Sequence, residues 1–205
     1  QRHGLRAIAL TGHNSVEGSE RMTAACATAN LEFIVGAELT AEHNGFEIHV
    51  LAYLVDPLNP KLLDRIATFQ NVRQNRIREM VARLNEYGVP LQADDVFALA
   101  NCRSPGRPHV ARALVKAKLC GTLDEAFDRF LKKARLAWVP KSKMSALEAV
   151  ELIHQAGGLA VMAHPGLNRT DESIPDLVAA GLDGIECFHT KHNAATAARY
   201  QRIAH

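Results

Sequence analysis

The feature that most constrains this 205-residue chain is a set of short apolar, β-rich runs, each with a histidine or glutamate at or near its end. The clearest four cover residues 7–13, 33–38, 47–51 and 159–164, and a fifth covers 184–189. Strand ends in α/β enzymes converge on one face, where sites are assembled. Imidazoles and a carboxylate that arrive on separate strands suit a divalent metal. The pattern therefore predicts an α/β fold with a metal site at the strand ends.

The candidate ligands are His13, Glu38, His49 and His164, with His189 as a fifth. Each has an ordinary explanation by itself, such as a loop histidine, a core histidine, or a glutamate paired with Arg6. Four or five such placements in one chain are far harder to explain by chance than one. Pro165 follows His164 directly, which favours an extended backbone at His164 and aims its ring off the strand end.

The middle of the chain has a different pattern. From residue 61 to 134, apolar residues recur at helical spacing within long, charged segments. Strand and helix signals alternate again from Ser145, which forms a capping-box pattern with Glu148. We therefore predict two parts, a barrel-forming part over 1–56 and 140–205 and an all-helical insertion over 57–139.

One segment within this insertion is a candidate phosphate-binding site. Residues 103–109 are predicted to open a helix, with Pro108 near its first turn. Helix N-termini attract anions, and Arg107 would add a bidentate donor. The alternative is an ordinary helix start with a solvated arginine.

Composition excludes several classes of protein. The net charge of +2 favours no strongly charged partner. The four cysteines form no C-x-x-C pair, which argues against a zinc ribbon or a thioredoxin-like motif and suggests free thiols in a reducing compartment. No apolar run approaches the roughly 20 residues that span a membrane. We therefore expect a cytoplasmic protein with no membrane partner, and nothing in the sequence indicates a protein partner.

Taken in order, the motifs resemble those of the PHP (polymerase and histidinol phosphatase) family. Residues 9–14 are similar to A-[IL]-T-D-H-D, 35–39 to P-G-V-E-I, 47–51 to E-I-H-V-L, and 163–166 to A-H-P-G. The run 106–112 matches the insertion of the TrpH-like, or RNase AM, branch, which contains nucleoside 3′,5′-bisphosphate phosphatases and 5′-to-3′ exoribonucleases. The resemblance covers nearly the whole chain.

The resemblance implies a distorted (β/α)₇ barrel, incomplete here, with a helical insertion. It implies two or three divalent metal ions, commonly manganese, with iron or zinc as alternatives. The implied metal ligands are His13, Glu38, His49, His164 and, at a position that varies within the branch, His189. Of these, His13, Glu38 and His164 would act in catalysis through bound metal and water. Arg107 and His109, helped by Arg112, would hold the substrate phosphate.

The implied function is removal of a phosphate from a nucleoside 3′,5′-bisphosphate, or from the 5′ end of short RNA, by metal-activated water. Two alternatives stay open, a non-catalytic nucleotide- or RNA-binding homologue and a PHP phosphatase with another small phosphoester substrate. The family's opening H-x-H and closing G-S-D-x-H segments lie outside residues 1–205, and its D-H-D is Gly12-His13-Asn14 here. We therefore expect a chain truncated at both ends that lacks part of the ligand set.

Overall fold

The computed structural model describes residues 4–140, 144–168 and 170–205. Within these residues, six strands form one mixed sheet. The strands are β1 (Ala7–His13), β2 (Glu32–His43), β3 (Phe46–Tyr53), β4 (Met144–Ser145), β5 (Leu159–Met162) and β6 (Gly184–Ile185). Their spatial order is β1-β2-β3-β5-β6, and β4 pairs with β2 beyond the stretch that β1 covers. The predicted α/β class is confirmed.

The described residues form nine α-helices, and several of them begin at a side chain that accepts a hydrogen bond from the first turn. In chain order they are α1 (Ser19–Ala29), α2 (Pro60–Glu86), α3 (Ala93–Ala100), α4 (Arg107–Lys116), α5 (Leu123–Ala126), α6 (Ala146–Gln155), α7 (Pro165–Asn168), α8 (Ile174–Ala179) and α9 (Ala194–Ala204). The predicted capping box opens α6, because the Ser145 hydroxyl accepts from the Leu147 amide at 3.2 Å and Glu148 accepts from the Ser145 amide at 3.0 Å. None of these helices combines the length and apolarity that crossing a membrane requires.

The chain divides into two compact units, Gln1–Ile66 with Lys143–His205, and Ala67–Ser142. The division falls inside α2. The second unit has its own apolar core, which includes Ile77, Met80, Leu84, Val110 and Leu114. Ile77, Met80 and Leu84 recur at helical spacing along α2, and Val110 and Leu114 do so along α4. Burial of one face of each helix explains why the segment folds as packed helices.

Period-two alternation decides which face of the sheet carries the core of the first unit. Leu39 of β2 lies opposite Val50 of β3, Ala41 lies opposite Ile48, and all four are buried. The intervening residues therefore point to the other face, where Thr40 lies opposite His49. The same antiparallel hairpin thus builds the core on one side and presents polar side chains on the other.

Candidate metal centre

The carboxylate of Glu38 lies at the centre of three imidazoles. Its Oε2 is 3.0 Å from Nδ1 of His13, and its Oε1 is 2.7 Å from Nδ1 of His49 and 3.2 Å from Nε2 of His164. Neighbouring rings meet edge to face, with centroids 5.6 Å apart for His13 and His49 and 5.1 Å apart for His49 and His164. The structure thus brings four of the five predicted ligands together around one carboxylate.

The register of the sheet produces this arrangement. His13 and Glu38 are direct partners in the parallel β1–β2 pair, so their side chains share a face. His49 shares that face because its partner Thr40 is two residues from Glu38. The expectation that Glu38 ends its strand is wrong, because β2 continues past Glu38 to His43, whereas His49 lies in the middle of β3, as its apolar neighbours predict.

The donor set fits a divalent metal. His13, Glu38 and His49 each offer one ligand atom, and these atoms lie within 4.8 Å of one another. In addition, Nδ1 of His164 is buried and has no hydrogen-bond partner in the described part of the chain. A buried imidazole nitrogen without a partner can accept a ligand, and the same state occurs at Nε2 of His192, which packs against Gly166. Imidazole nitrogen and carboxylate oxygen are ligands for zinc, iron and manganese.

The site is electrostatically coupled. Burial alone would raise the pKa of Glu38, but the hydrogen bond from His49 and the charge of His13 outweigh it, and the pKa is lowered. Burial opposes a charge on His49, yet hydrogen bonds to Glu38 and Glu47 raise its pKa to about 9. Without metal, His49 therefore carries a proton at neutral pH. A metal ion that binds His49 must displace that proton, because only the deprotonated imidazole is a ligand.

His164 departs from its predicted backbone conformation. Its φ is +30°, in the left-handed region, so the expectation of an extended residue before Pro165 is wrong. The reason is a tertiary contact, since the His164 amide donates to Oε2 of Glu186 at 2.7 Å as the chain turns into α7. A left-handed non-glycine residue costs about 1–3 kcal/mol and persists only where its surroundings hold it.

The fifth candidate, His189, lies beside this group. Its ring centroid is 5.5 Å from that of His164, and its Nδ1 accepts a hydrogen bond from the Lys191 amide at 3.2 Å. His189 therefore neighbours His164, while the direct contacts with Glu38 come from His13, His49 and His164.

Sequence reasoning missed the role of Asn14, which it treated only as a lost carboxylate. Asn14 is 1% exposed, its Oδ1 accepts from the Thr40 amide at 3.1 Å, and its Nδ2 donates to the Thr40 hydroxyl at 3.3 Å. Its own amide donates to the Glu38 carbonyl at 2.8 Å. Asn14 thus clamps the end of β1 to β2 beside the site. The signal in the sequence was the asparagine itself, because asparagine tolerates the left-handed backbone that this position adopts, with a φ of +46°.

The three candidate phosphate ligands lie in the second unit on α4, with Arg107 and His109 in its first turn and Arg112 farther along the helix. A guanidinium nitrogen of Arg107 donates to the Leu131 carbonyl at 3.2 Å. Nδ1 of His109 accepts from the Gly106 amide at 3.0 Å. Burial lowers the pKa of His109, and the charge of Arg112 lowers it further. Arg107 and His109 therefore also stabilise the helix start, while Arg112 is exposed.

No family model matches the chain, but its sequence is similar to those of several named enzymes. A 5′-3′ exoribonuclease from Haemophilus influenzae is 30% identical over 97% of this chain and 75% of its own length. A 3′,5′-nucleoside bisphosphate phosphatase from Chromobacterium violaceum is 31% identical over 91% of this chain and 67% of its own length. A phosphoribosyl 1,2-cyclic phosphate 1,2-diphosphodiesterase from Eggerthella lenta is 26% identical, over 98% and 78%.

Solved structures agree with these relatives. A protein from Bifidobacterium adolescentis, named as a metal-dependent phosphoesterase, has a TM-score of 0.84 and 32% identity over 99% of this chain and 74% of that one. An amidohydrolase from Chromobacterium violaceum, solved with bound sulfate and no metal, has a TM-score of 0.83 and 27% identity over 97% and 72%. The relatives and the shared fold agree with the four ordered motifs, and the chain belongs to the PHP (polymerase and histidinol phosphatase) family.

Proposed function

We propose that the chain is a metal-dependent phosphoesterase that removes a phosphate from nucleoside 3′,5′-bisphosphates or from the 5′ end of short RNA. The observation that carries this proposal is the Glu38 carboxylate in contact with three imidazoles. The names of two relatives specify such substrates, RNA for the exoribonuclease and a nucleoside bisphosphate for the phosphatase. The alternative of a non-catalytic nucleotide-binding homologue has less support, because a binding module has no need for this costly grouping of titratable side chains.

The proposed ligands are His13, Glu38, His49 and His164, with His189 as a fifth. A bound divalent metal supplies a water whose pKa is lowered towards about 7 and a charge that stabilises the phosphoester oxygens. We propose two or three ions, with manganese favoured over iron and zinc. The orphaned Nδ1 of His164 and the convergence on Glu38 support a metal at this site.

The residues of the chain divide the remaining work. Glu38 orients His49 and His164 through its Oε1. Glu47 lies 3.4 Å from Nε2 of His49 and restrains that ring from its other side. The His13 side chain is 59% exposed, so this edge of the site is open to a substrate phosphate. Outer partners of this kind fix ring orientation and tautomer at metal sites.

We further propose that Arg107, His109 and Arg112 bind a substrate phosphate, and that the helical segment 57–139 is an insertion within the barrel. The start of α4 supports the first proposal, because backbone amides and two guanidinium groups favour an anion there. A cytoplasmic location is also our proposal, supported by four cysteines that are all unpaired.

A second candidate substrate is another small phosphoester. The support is the Eggerthella lenta relative, whose name specifies a phosphoribosyl cyclic phosphate and whose length this chain covers to 78%. Both candidate substrates require the same chemistry at the site, namely water attack on phosphorus. They differ in the part of the substrate beyond the phosphate.

The decisive experiment measures, with and without added manganese, phosphate release from adenosine 3′,5′-bisphosphate and a 5′-phosphorylated oligoribonucleotide, and ring opening of a cyclic phosphoribosyl ester to its phosphomonoester. We expect metal-dependent release from one of the first two, and loss of release with chelator. Ring opening of the cyclic ester alone would favour the second candidate. A folded, manganese-loaded protein that hydrolyses none of them would refute the proposal, and nucleotide binding unaffected by chelator would then favour a binding module.

A further inference from the structure

His164 has an unusual left-handed backbone conformation, and Glu186 contacts the turn that carries it from one side. Along β5 the backbone amides point alternately to the two neighbouring strands. The Ala163 amide donates to the His49 carbonyl at 2.9 Å, so the His164 amide points the other way. Glu186 meets it there, with Oε2 accepting at 2.7 Å. A side-chain carboxylate thus replaces the backbone acceptor that a continuing strand would supply.

Glu186 is well placed to act as a fixed acceptor. Its own amide donates to the Met162 carbonyl at 2.8 Å, which continues the parallel pairing of β5 with β6. Met162 precedes the turn by one residue and is buried. Glu186 and the turn at His164 are therefore both attached to β5. The left-handed His164, with a φ of +30°, has its amide satisfied by Glu186, as a costly conformation requires of its surroundings.

His192 packs against the same turn from another direction. A Cβ atom at Gly166 would lie 2.9 Å from Nε2 of His192 and 3.0 Å from Cγ2 of Thr196. The His192 ring is fixed because its Nδ1 donates to the Cys187 carbonyl at 3.0 Å. Nε2 is buried and has no hydrogen-bond partner among the described residues, so the ring edge packs against Gly166. Only glycine allows this close approach.

We propose that Glu186 is a positioning residue for the metal centre. By accepting the His164 amide, Glu186 holds the His164 imidazole against the Glu38 carboxylate, and the His192–Gly166 contact prevents the turn from moving away. This inference rests on the proposed metal site and assigns a role to two residues outside its ligand set. Glu186 acts through the backbone of His164, so its hydrogen-bond acceptor matters and its charge does not.

The test compares Glu186→Gln, which keeps a carbonyl acceptor, with Glu186→Ala, which removes it. Manganese affinity is measured by calorimetry, with Glu151→Ala as a control because Glu151 is exposed on α6 and contacts Gln155. We expect Glu186→Ala to bind about 10–100-fold more weakly, and the other two variants to bind like wild type. Equal losses in Glu186→Gln and Glu186→Ala would identify Glu186 as a metal ligand or a required charge, and would overturn the proposal.

A second pair of variants tests the other side of the turn and does not depend on Glu186→Ala folding. Gly166→Ala should weaken manganese binding with Glu186 intact, and the double variant with His192→Ala should recover part of that affinity by returning the space. If Gly166→Ala leaves manganese affinity unchanged, the contact between His192 and Gly166 does not restrain the turn.

A measurement without metal separates this inference from the proposed function. Hydrogen exchange of the His164 amide, followed by NMR in the metal-free protein, should accelerate in Glu186→Ala and stay slow in Glu186→Gln and Glu151→Ala. Unchanged exchange in Glu186→Ala would overturn the positioning role whatever the calorimetry gives. If wild type binds no manganese while exchange responds as expected, the metal function fails and the restraint on His164 stands.

Discussion

Oε1 of Glu38 lies 2.7 Å from Nδ1 of His49, across two antiparallel strands and two register positions apart. This contact lowers the pKa of Glu38 against its burial and raises that of His49 to about 9. The same carboxylate also meets His13 and His164. Glu38 therefore stabilises the metal-free group of imidazoles, and in the proposed metal site it would also offer an oxygen ligand.

Glu38→Gln should abolish measurable manganese binding or weaken it by at least about 100-fold, because the variant replaces the anionic ligand that three imidazoles share. It should also lower the free energy of unfolding of the metal-free protein by about 1–3 kcal/mol, since charged hydrogen bonds are lost. Calorimetry and denaturant unfolding measure the two effects. Glu32→Gln, at the exposed start of the same strand, is the matched control. Wild-type metal affinity in Glu38→Gln would refute the assigned site.

Asn14→Ala should destabilise the protein more than Asn44→Ala does. The two asparagines share a positive φ, 46° and 49°, but Asn14 is buried and bonded to Thr40 while Asn44 is exposed in a turn. The difference between the variants isolates the buried hydrogen bonds, which we expect to contribute about 1–3 kcal/mol. Denaturant midpoints measure it. Equal losses would show that Asn14 contributes only its backbone conformation.

Arg112→Ala should raise the KM for a nucleoside bisphosphate by about tenfold or more, because a charge-assisted hydrogen bond to phosphate contributes about 1.5–3 kcal/mol. Lys116→Ala removes a charge from the exposed end of the same helix and should leave KM unchanged. Arg107→Lys keeps the charge and loses the planar fork, so its KM should also rise. Steady-state kinetics with unchanged KM in both arginine variants would reject the phosphate-binding assignment.

Asp183→Asn should lower stability near pH 7 by about 1–2 kcal/mol. Burial alone would raise the pKa of Asp183, but hydrogen bonds from His154 at 2.8 Å and the Ala160 amide at 2.7 Å outweigh it, and the pKa is lowered. A lowered folded pKa means stabilisation that is fully present above the unfolded value of about 3.9 and lost as pH falls through the folded value.

Unfolding curves of wild type and Asp183→Asn, recorded from pH 7 down to acid, should therefore converge only below the lowered pKa of the aspartate in the folded protein. Glu151→Gln on the exposed face of α6 provides the comparison for a general effect of removing a negative charge. A stability difference that stays constant over the whole range would mean that the Asp183 charge contributes nothing.

Local patterns in the sequence were sufficient to predict five of the six described strands and the cap at Ser145, because each depends on neighbouring residues, whereas the short β4 was not predicted. The residues of the candidate site could also be identified from the sequence motifs, and the structure brings His13, Glu38, His49 and His164 together. Whether these residues bind metal stays a prediction.

Other features could not be read locally. The left-handed His164 donates its amide to Glu186, 22 residues away, and the clamp at Asn14 is made with Thr40, 26 residues away. The position of Glu38 inside β2 depends on how far the strand stays paired with β3. Each of these features is set by a long-range contact, which residue preferences and periodicity do not carry.

Glu38 lies on β2, which pairs with β1, β3 and β4. Amides in strands flanked on both sides exchange only through large-scale opening, whereas edges and termini fray. The central carboxylate should therefore become disordered only when the sheet itself melts. An ion bound there would then be released only on global unfolding, so titrating manganese should raise the melting temperature, and the rise should continue with the logarithm of manganese concentration above saturation.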